Sequence, residues 1–166
     1  MIKLRALFVL FLVLLIAGCA TTVTTPVQRN AVFIESEYEP YKGKGTASIA
    51  GQAFAKTRAG DVKYAAGNTI FLNPVTSYST EFFNILVQQQ QIPSPPDPRI
   101  YHYNRQTIAD GNGNFEFKNL PPGEYYIHTI ITWEVPSRYG LQTTGGAIGT
   151  RVKVGPGETI KAIVTH

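Results

Sequence analysis

Hydrophobic and polar positions divide the chain into one long apolar stretch and a series of short alternations. The stretch runs unbroken from Ala6 to Ala17, behind Lys3 and Arg5. The alternations begin at Thr46: Ala47, Ile49, Gly51 and Ala53 interleave with Ser48, Ala50 and Gln52, a period of two that predicts a strand with one buried face. Ile70-Phe71-Leu72, inside Asn68 to Pro74, predicts a second, and Tyr101 to Ile108 another. Phe115 and Phe117 alternate with Glu116 and Lys118, while Tyr125, Ile127, Thr129, Ile131 and Trp133 share one face of the stretch from Tyr125 to Trp133. Arg151 to Val154 and Thr159 to Val164 are expected to close as a terminal hairpin around Gly155-Pro156-Gly157-Glu158. Val32 to Ile34 predicts a short first strand, ahead of the polar segment Glu35 to Gly45 with Pro40, Gly43 and Gly45.

Two tight turns punctuate the second half. Asp110-Gly111-Asn112-Gly113 combines residues that tolerate positive φ, and Leu120-Pro121-Pro122-Gly123 turns the chain into the Tyr125 strand. One segment breaks the period of two. In Ser79 to Gln91 the residues Phe82, Ile85, Leu86 and Gln89 fall three or four apart, predicting an amphipathic helix capped by Ser79 or Thr80, with Glu81 in its first turn. Pro93-Ser94-Pro95-Pro96-Asp97-Pro98 then ends it in a loop. The pattern therefore predicts an all-β fold, an antiparallel β-sandwich of seven to eight strands with one short inserted helix. The expected organisation is a leader over residues 1–18, a tether and extension over 19–45, and the sandwich over 46–166. Thr21 to Asn30, Thr-rich and free of aromatics, reads as an extended tether.

The Ala6 to Ala17 stretch is 12 residues long, whereas a helix needs about 20 to span a bilayer. With its basic flank it reads as a secretion signal rather than an anchor. Its end, Leu15-Ile16-Ala17-Gly18-Cys19, resembles the lipobox of bacterial lipoproteins. That resemblance implies cleavage before Cys19 and diacylglycerol on its thiol, usually with a third acyl chain on the new amino terminus. Several buried chains, at about 0.8 kcal/mol per methylene, anchor a protein far more firmly than one. Ala20 is not the aspartate that retains such proteins at the inner membrane in enteric-type bacteria, so the expected location is the outer membrane, facing the periplasm.

Composition narrows the function classes. Of 166 residues, 43% are hydrophobic and 16% charged, which argues against a disordered chain or a nucleic-acid coat. Loss of Lys3 and Arg5 with the leader leaves 13 basic against 11 acidic residues, a net charge of +2. No nucleic-acid partner is expected from so small an excess. Cys19 is the single cysteine, which excludes internal disulfides and Cys-rich metal sites.

The run Thr107-x-x-Asp110-x-x-Gly113-x-Phe115-x-Phe117-x-x-Leu120-Pro121-x-Gly123-x-Tyr125 resembles the signature of carboxypeptidase-regulatory-like domains. Ile49-x-Gly51, Gly67-x-x-Ile70 and Leu72-x-Pro74-x-Thr76-x-Tyr78 fit upstream. The resemblance spans Thr46 to about Val164 and implies a prealbumin-like, that is transthyretin-like, sandwich in a secreted or envelope protein. The chain departs from the minimal domain in the helix and proline loop from Ser79 to Pro98. That insertion is expected either to supply a partner surface, with Tyr101 and Tyr103 behind it, or to cover an open end of the sandwich.

Candidate chemistry is sparse. His102, His128 and His166 have no metal-seating spacing and read as surface histidines, so no metal and no cofactor is expected. Asp110 to Glu116 lacks the ligand series of a calcium loop and reads as a hairpin turn. No Gly-x-Ser-x-Gly elbow is present, and the chain ends Ile163-Val164-Thr165-His166 rather than in the Tyr-Arg-Gly-Ser of the transthyretin-like hydroxyisourate hydrolases. These features predict no catalytic residues and no enzyme. Tyr101, Tyr103, Trp133 and Tyr139, near strand ends or loops, form the candidate binding surface, since aromatic platforms take sugars and extended peptides. Trp133 equally fits the core, in register with Tyr125 and Ile131. The expectation is a lipid-anchored, non-catalytic binding or assembly module of the envelope, with an envelope protein or a glycan as partner. A carbohydrate-binding module is the alternative, and a hydrolase a more distant one.

Overall fold

The computed structural model describes residues 25–166; the leader and Cys19, on which the lipobox reading falls, lie outside them. Eight strands make two sheets. In the first, β1 (Ala47–Lys56) is central: β5 (Asn114–Leu120) and β2 (Val62–Tyr64) pair with it antiparallel, and β8 (Thr159–Val164) pairs with it parallel. The second has the order β4 (Arg105–Ile108), β3 (Thr69–Pro74), β6 (Gly123–Ser137), β7 (Gly140–Val154), antiparallel throughout. The fold is the expected all-β sandwich, with one parallel pair in it.

The core fills the space between the sheets. Ala47, Ile49, Ala53 and Ala55 of β1 face Ile70 and Leu72 of β3 and Tyr125, Ile127 and Ile131 of β6, and Phe115, Phe117 and Leu120 of β5 close one side. All but Leu120 obey the period of two, because a strand buries alternate side chains; Leu120 follows Phe117 by three, past Asn119 at φ +56°, where the pairing with β1 shifts register. Gly51 breaks the apolar series for a steric reason. A Cβ there would lie 2.3 Å from the Ala162 carbonyl oxygen and 2.6 Å from the Phe115 ring.

Both expected hairpins in this region are crossovers between sheets. The turn after β4 leads from the second sheet into β5 of the first, so it bridges layers rather than pairing its flanks. Asp110 organises it: its carboxylate accepts from the backbone N–H of Asn112 and Asn114 and from the Asn114 amide, and Gly113 takes φ +76°. Likewise β7 pairs with β6, and the turn at Gly155 to Glu158 carries the chain across to β8, where Ser48 N–H donates to the Glu158 carbonyl. Local pattern locates a turn but does not say which sheet the next strand joins.

The helix α2 (Ser77–Phe83) starts earlier than the expected caps, Ser79 or Thr80, allow. Its cap is Thr76, in a reciprocal box with Ser79, and the axis continues as a π turn over Asn84–Gln88. Phe83, the last residue of α2, points inward and stacks on Tyr126 at 4.3 Å. The insertion therefore lies on the outer face of the second sheet, not over an end of the sandwich. Val32 to Ile34 is not a strand; Phe33 instead stacks on Tyr38 at 4.7 Å. It is followed by a short helix α1 (Glu35–Tyr38) and a 3-10 turn.

Candidate functional site

A cleft of about 360 Å³ opens on the outer face of the second sheet. Strand alternation supplies its floor: Phe71 and Asn73 of β3 and His128 and Ile130 of β6 point away from the sandwich core. Phe71 and His128 are register partners, so their rings stack, 5.1 Å apart and 16° from parallel. One wall is α2, through Tyr78, Ser79 and Phe82, with Leu86 beyond it. Pro93 and Pro96 and the 3-10 segment Pro98–His102, with Ile100 and Tyr101, make the opposite wall.

The strap over this site includes the end of the segment read from sequence as an extended tether, Val27 to Asn30. Val27 exchanges backbone hydrogen bonds with Ile92 and Ser94, both 2.7 Å, since backbone pairing needs no aromatic side chain. Glu81 accepts from the N–H groups of Asn30 and Ala31, which holds its carboxyl below the usual carboxylate range. Glu37 accepts from the N–H and hydroxyl of Ser77 at the start of α2. The Tyr38 hydroxyl, of a residue 1% exposed, accepts a hydrogen bond from the Thr76 hydroxyl. Residues 27 to 41 thus pack as part of the domain.

Arg29 is the strap's contribution to the cleft. Its guanidinium lies 4.4 Å from the Tyr78 ring centroid and donates from Nη2 to the Tyr78 hydroxyl and the Pro95 carbonyl. Nε and Nη1 are buried without a partner. So are Asn73 Oδ1 and His128 Nδ1, and all of these atoms belong to residues lining the one cleft. Buried polar atoms are nearly always satisfied in native proteins, so such a concentration marks a place where ordered water or a bound molecule supplies the partners. His128 is 5% exposed, contrary to the surface position expected of it. The strand carrying it is covered on both faces, and burial pushes its imidazole pKa down to about 4, leaving the ring neutral at pH 7. Among the described residues, no three His, Cys, Asp or Glu side chains gather to hold a metal ion.

The four aromatics singled out from sequence do not converge. Tyr101, 65% exposed, stands at the cleft mouth. Tyr103 is half-buried behind it, against Tyr38 at 4.8 Å. Trp133 packs on the sandwich core, on the opposite face of β6 from His128. Tyr139, 86% exposed, sits at the far tip of the β6–β7 hairpin. Sequence reasoning passed over Arg29, Phe71, Asn73 and Tyr78. One signal was there: Tyr125 to Ile131 carries bulky residues on both of its alternating faces, the mark of a strand covered on both sides.

The chain is similar to a crystal structure from Pseudomonas aeruginosa, provisionally named a carbohydrate-binding protein. Identity is 28% and the TM-score 0.72, over 81% of this chain and 97% of that one. The likeness takes in nearly the whole of that protein. A minor pilin of Streptococcus agalactiae matches more loosely, at 14% identity and TM-score 0.40, over 74% of this chain and 44% of the pilin. No family model and no curated protein matches the chain.

Proposed function

We propose that this chain is a lipid-anchored protein of the cell envelope, held through Cys19 in the outer membrane and facing the periplasm, whose sandwich is a non-catalytic binding module related to carboxypeptidase-regulatory-like domains. The observation that carries the binding role is the cleft: all the orphaned buried polar atoms of the described side chains line it. Its volume falls in the range of small-molecule sites, which are concave, mostly apolar and equipped with a few polar groups. A non-catalytic role fits the lining, which offers no nucleophile beside a base: the Ser79 hydroxyl is engaged with the Pro74 carbonyl. A carbohydrate ligand is the second reading. It is favoured by the provisional name of the Pseudomonas aeruginosa protein and by Tyr101 at the mouth.

Ligand-observed NMR with a panel of soluble hexasaccharides and small organic acids tests the assignment. Binding should disappear in Tyr101→Ala and persist in Tyr139→Ala. Binding lost with Tyr139 or Trp133 but kept without Tyr101 would move the site to the hairpin and refute the cleft.

A further inference from the structure

Arg29 is the one charged residue lining the cleft, and none of the ion pairs among the described residues includes it. The carboxylates on the neighbouring elements are engaged elsewhere: Glu81 with the backbone of Asn30 and Ala31, Asp97 with Arg99. The Arg29 guanidinium acts on Glu81 and Asp97 only through space, and its buried Nε–H and Nη1–H donors lack partners, a desolvation cost that an anion brought close to it lowers. The remainder of the lining is chiefly apolar, with Phe71, Phe82, Leu86, Pro96 and Ile130 beside Tyr101. A neutral saccharide would bring many hydroxyls into a space with few free acceptors. An anion with an apolar body matches both features.

We propose that the cleft binds small amphipathic organic anions, the carboxylate drawn to the Arg29 guanidinium and the apolar body against Phe71, Phe82 and Tyr101. This rests on the cleft being the ligand site. Charge-assisted hydrogen bonds from a guanidinium to a carboxylate are short and strong, and in a dry cleft they set the preference between an acid and its neutral analogue.

Calorimetry on the full chain in nanodiscs, with empty nanodiscs as the partition control, compares 4-phenylbutyrate with 4-phenylbutanol. The acid should bind at least about tenfold more tightly, from the usual strength of hydrogen bonds to charged groups. Arg29→Met should erase the difference between acid and alcohol, and Arg29→Lys should restore part of it. Equal binding of acid and alcohol, both weakened by Phe82→Ala, would overturn the anion assignment and leave the cleft as the site. Binding indifferent to both Phe82→Ala and Arg29→Met would overturn the cleft as well. Absence of acid binding, with hexasaccharide binding lost in Tyr101→Ala, would hand the cleft to glycans.

Discussion

Phe117 and Glu116 are neighbours in sequence with opposite fates. Phe117 lies in the inter-sheet core, 5.9 Å from the Phe115 ring, whereas Glu116 is exposed and paired only with Lys118. Phe117→Ala should cost about 3 to 5 kcal/mol, and Glu116→Ala well under about 1 kcal/mol, exposed ion pairs being worth little. Denaturant melts of the two variants measure the contrast. His128 makes a pH prediction with a definite sign. Its pKa is pushed down to about 4 by burial between Phe71 and Phe82, against an ordinary value near 6.5. Between those values the unfolded chain binds the extra proton, so stability falls as pH drops from about 6.5 to about 4, by on the order of 3 kcal/mol, and this contribution levels off below. The lowered carboxylates, Asp97 at about 2 and Glu81, Asp110 and Glu124 below their usual range, act in a lower window, losing stability as pH falls below about 4. His128→Gln should flatten the upper segment of a stability-against-pH curve and leave the lower one.

Among the elements, those legible in the sequence are the ones that bury a single face. β1, β5 and the core face of β6 follow from alternation alone, and the Asp110 turn follows from its residues. What alternation does not encode is partnership. β8 pairs parallel to β1 because the chain crosses layers after Val154, a choice made by packing. β2 has three residues and pairs only with the far end of β1, too short to carry a pattern. The helix start was ambiguous because Thr76, Ser77, Ser79 and Thr80 all suit a cap, and Tyr38 and Glu37, distant in sequence, select Thr76 and Ser77. The site was the least legible part, since its strap, floor and walls come from separated segments. The strap hangs on Glu81. In Glu81→Ala, amide exchange at Asn30 and Ala31 should rise by about tenfold or more while the sandwich strands keep their protection, as local opening predicts. Hydrogen exchange with mass spectrometry reads both.

Across the whole molecule, the strap joins the proposed lipid-bearing end of the chain to the proposed ligand site. Arg29 lies ten positions after Cys19, a reach of at most about 35 Å when extended, so the proposed anchor would keep the cleft close to the membrane surface. Cys19→Ala should release the protein from washed membranes, because the 12-residue apolar run does not span a bilayer and no helix of the described residues is long and apolar enough to cross one. Retention of the variant in the pellet would remove the lipoprotein assignment without touching the cleft. The cleft is tested most directly by mapping NMR shift changes on titration with 4-phenylbutyrate and, separately, with the soluble hexasaccharides. The account predicts that whichever binds perturbs the His128 imidazole, the Asn73 amide and the Arg29 Nε–H together, and leaves the Tyr139 tip unmoved. Saturable shifts confined to the β6–β7 tip, with those three groups silent, would contradict it.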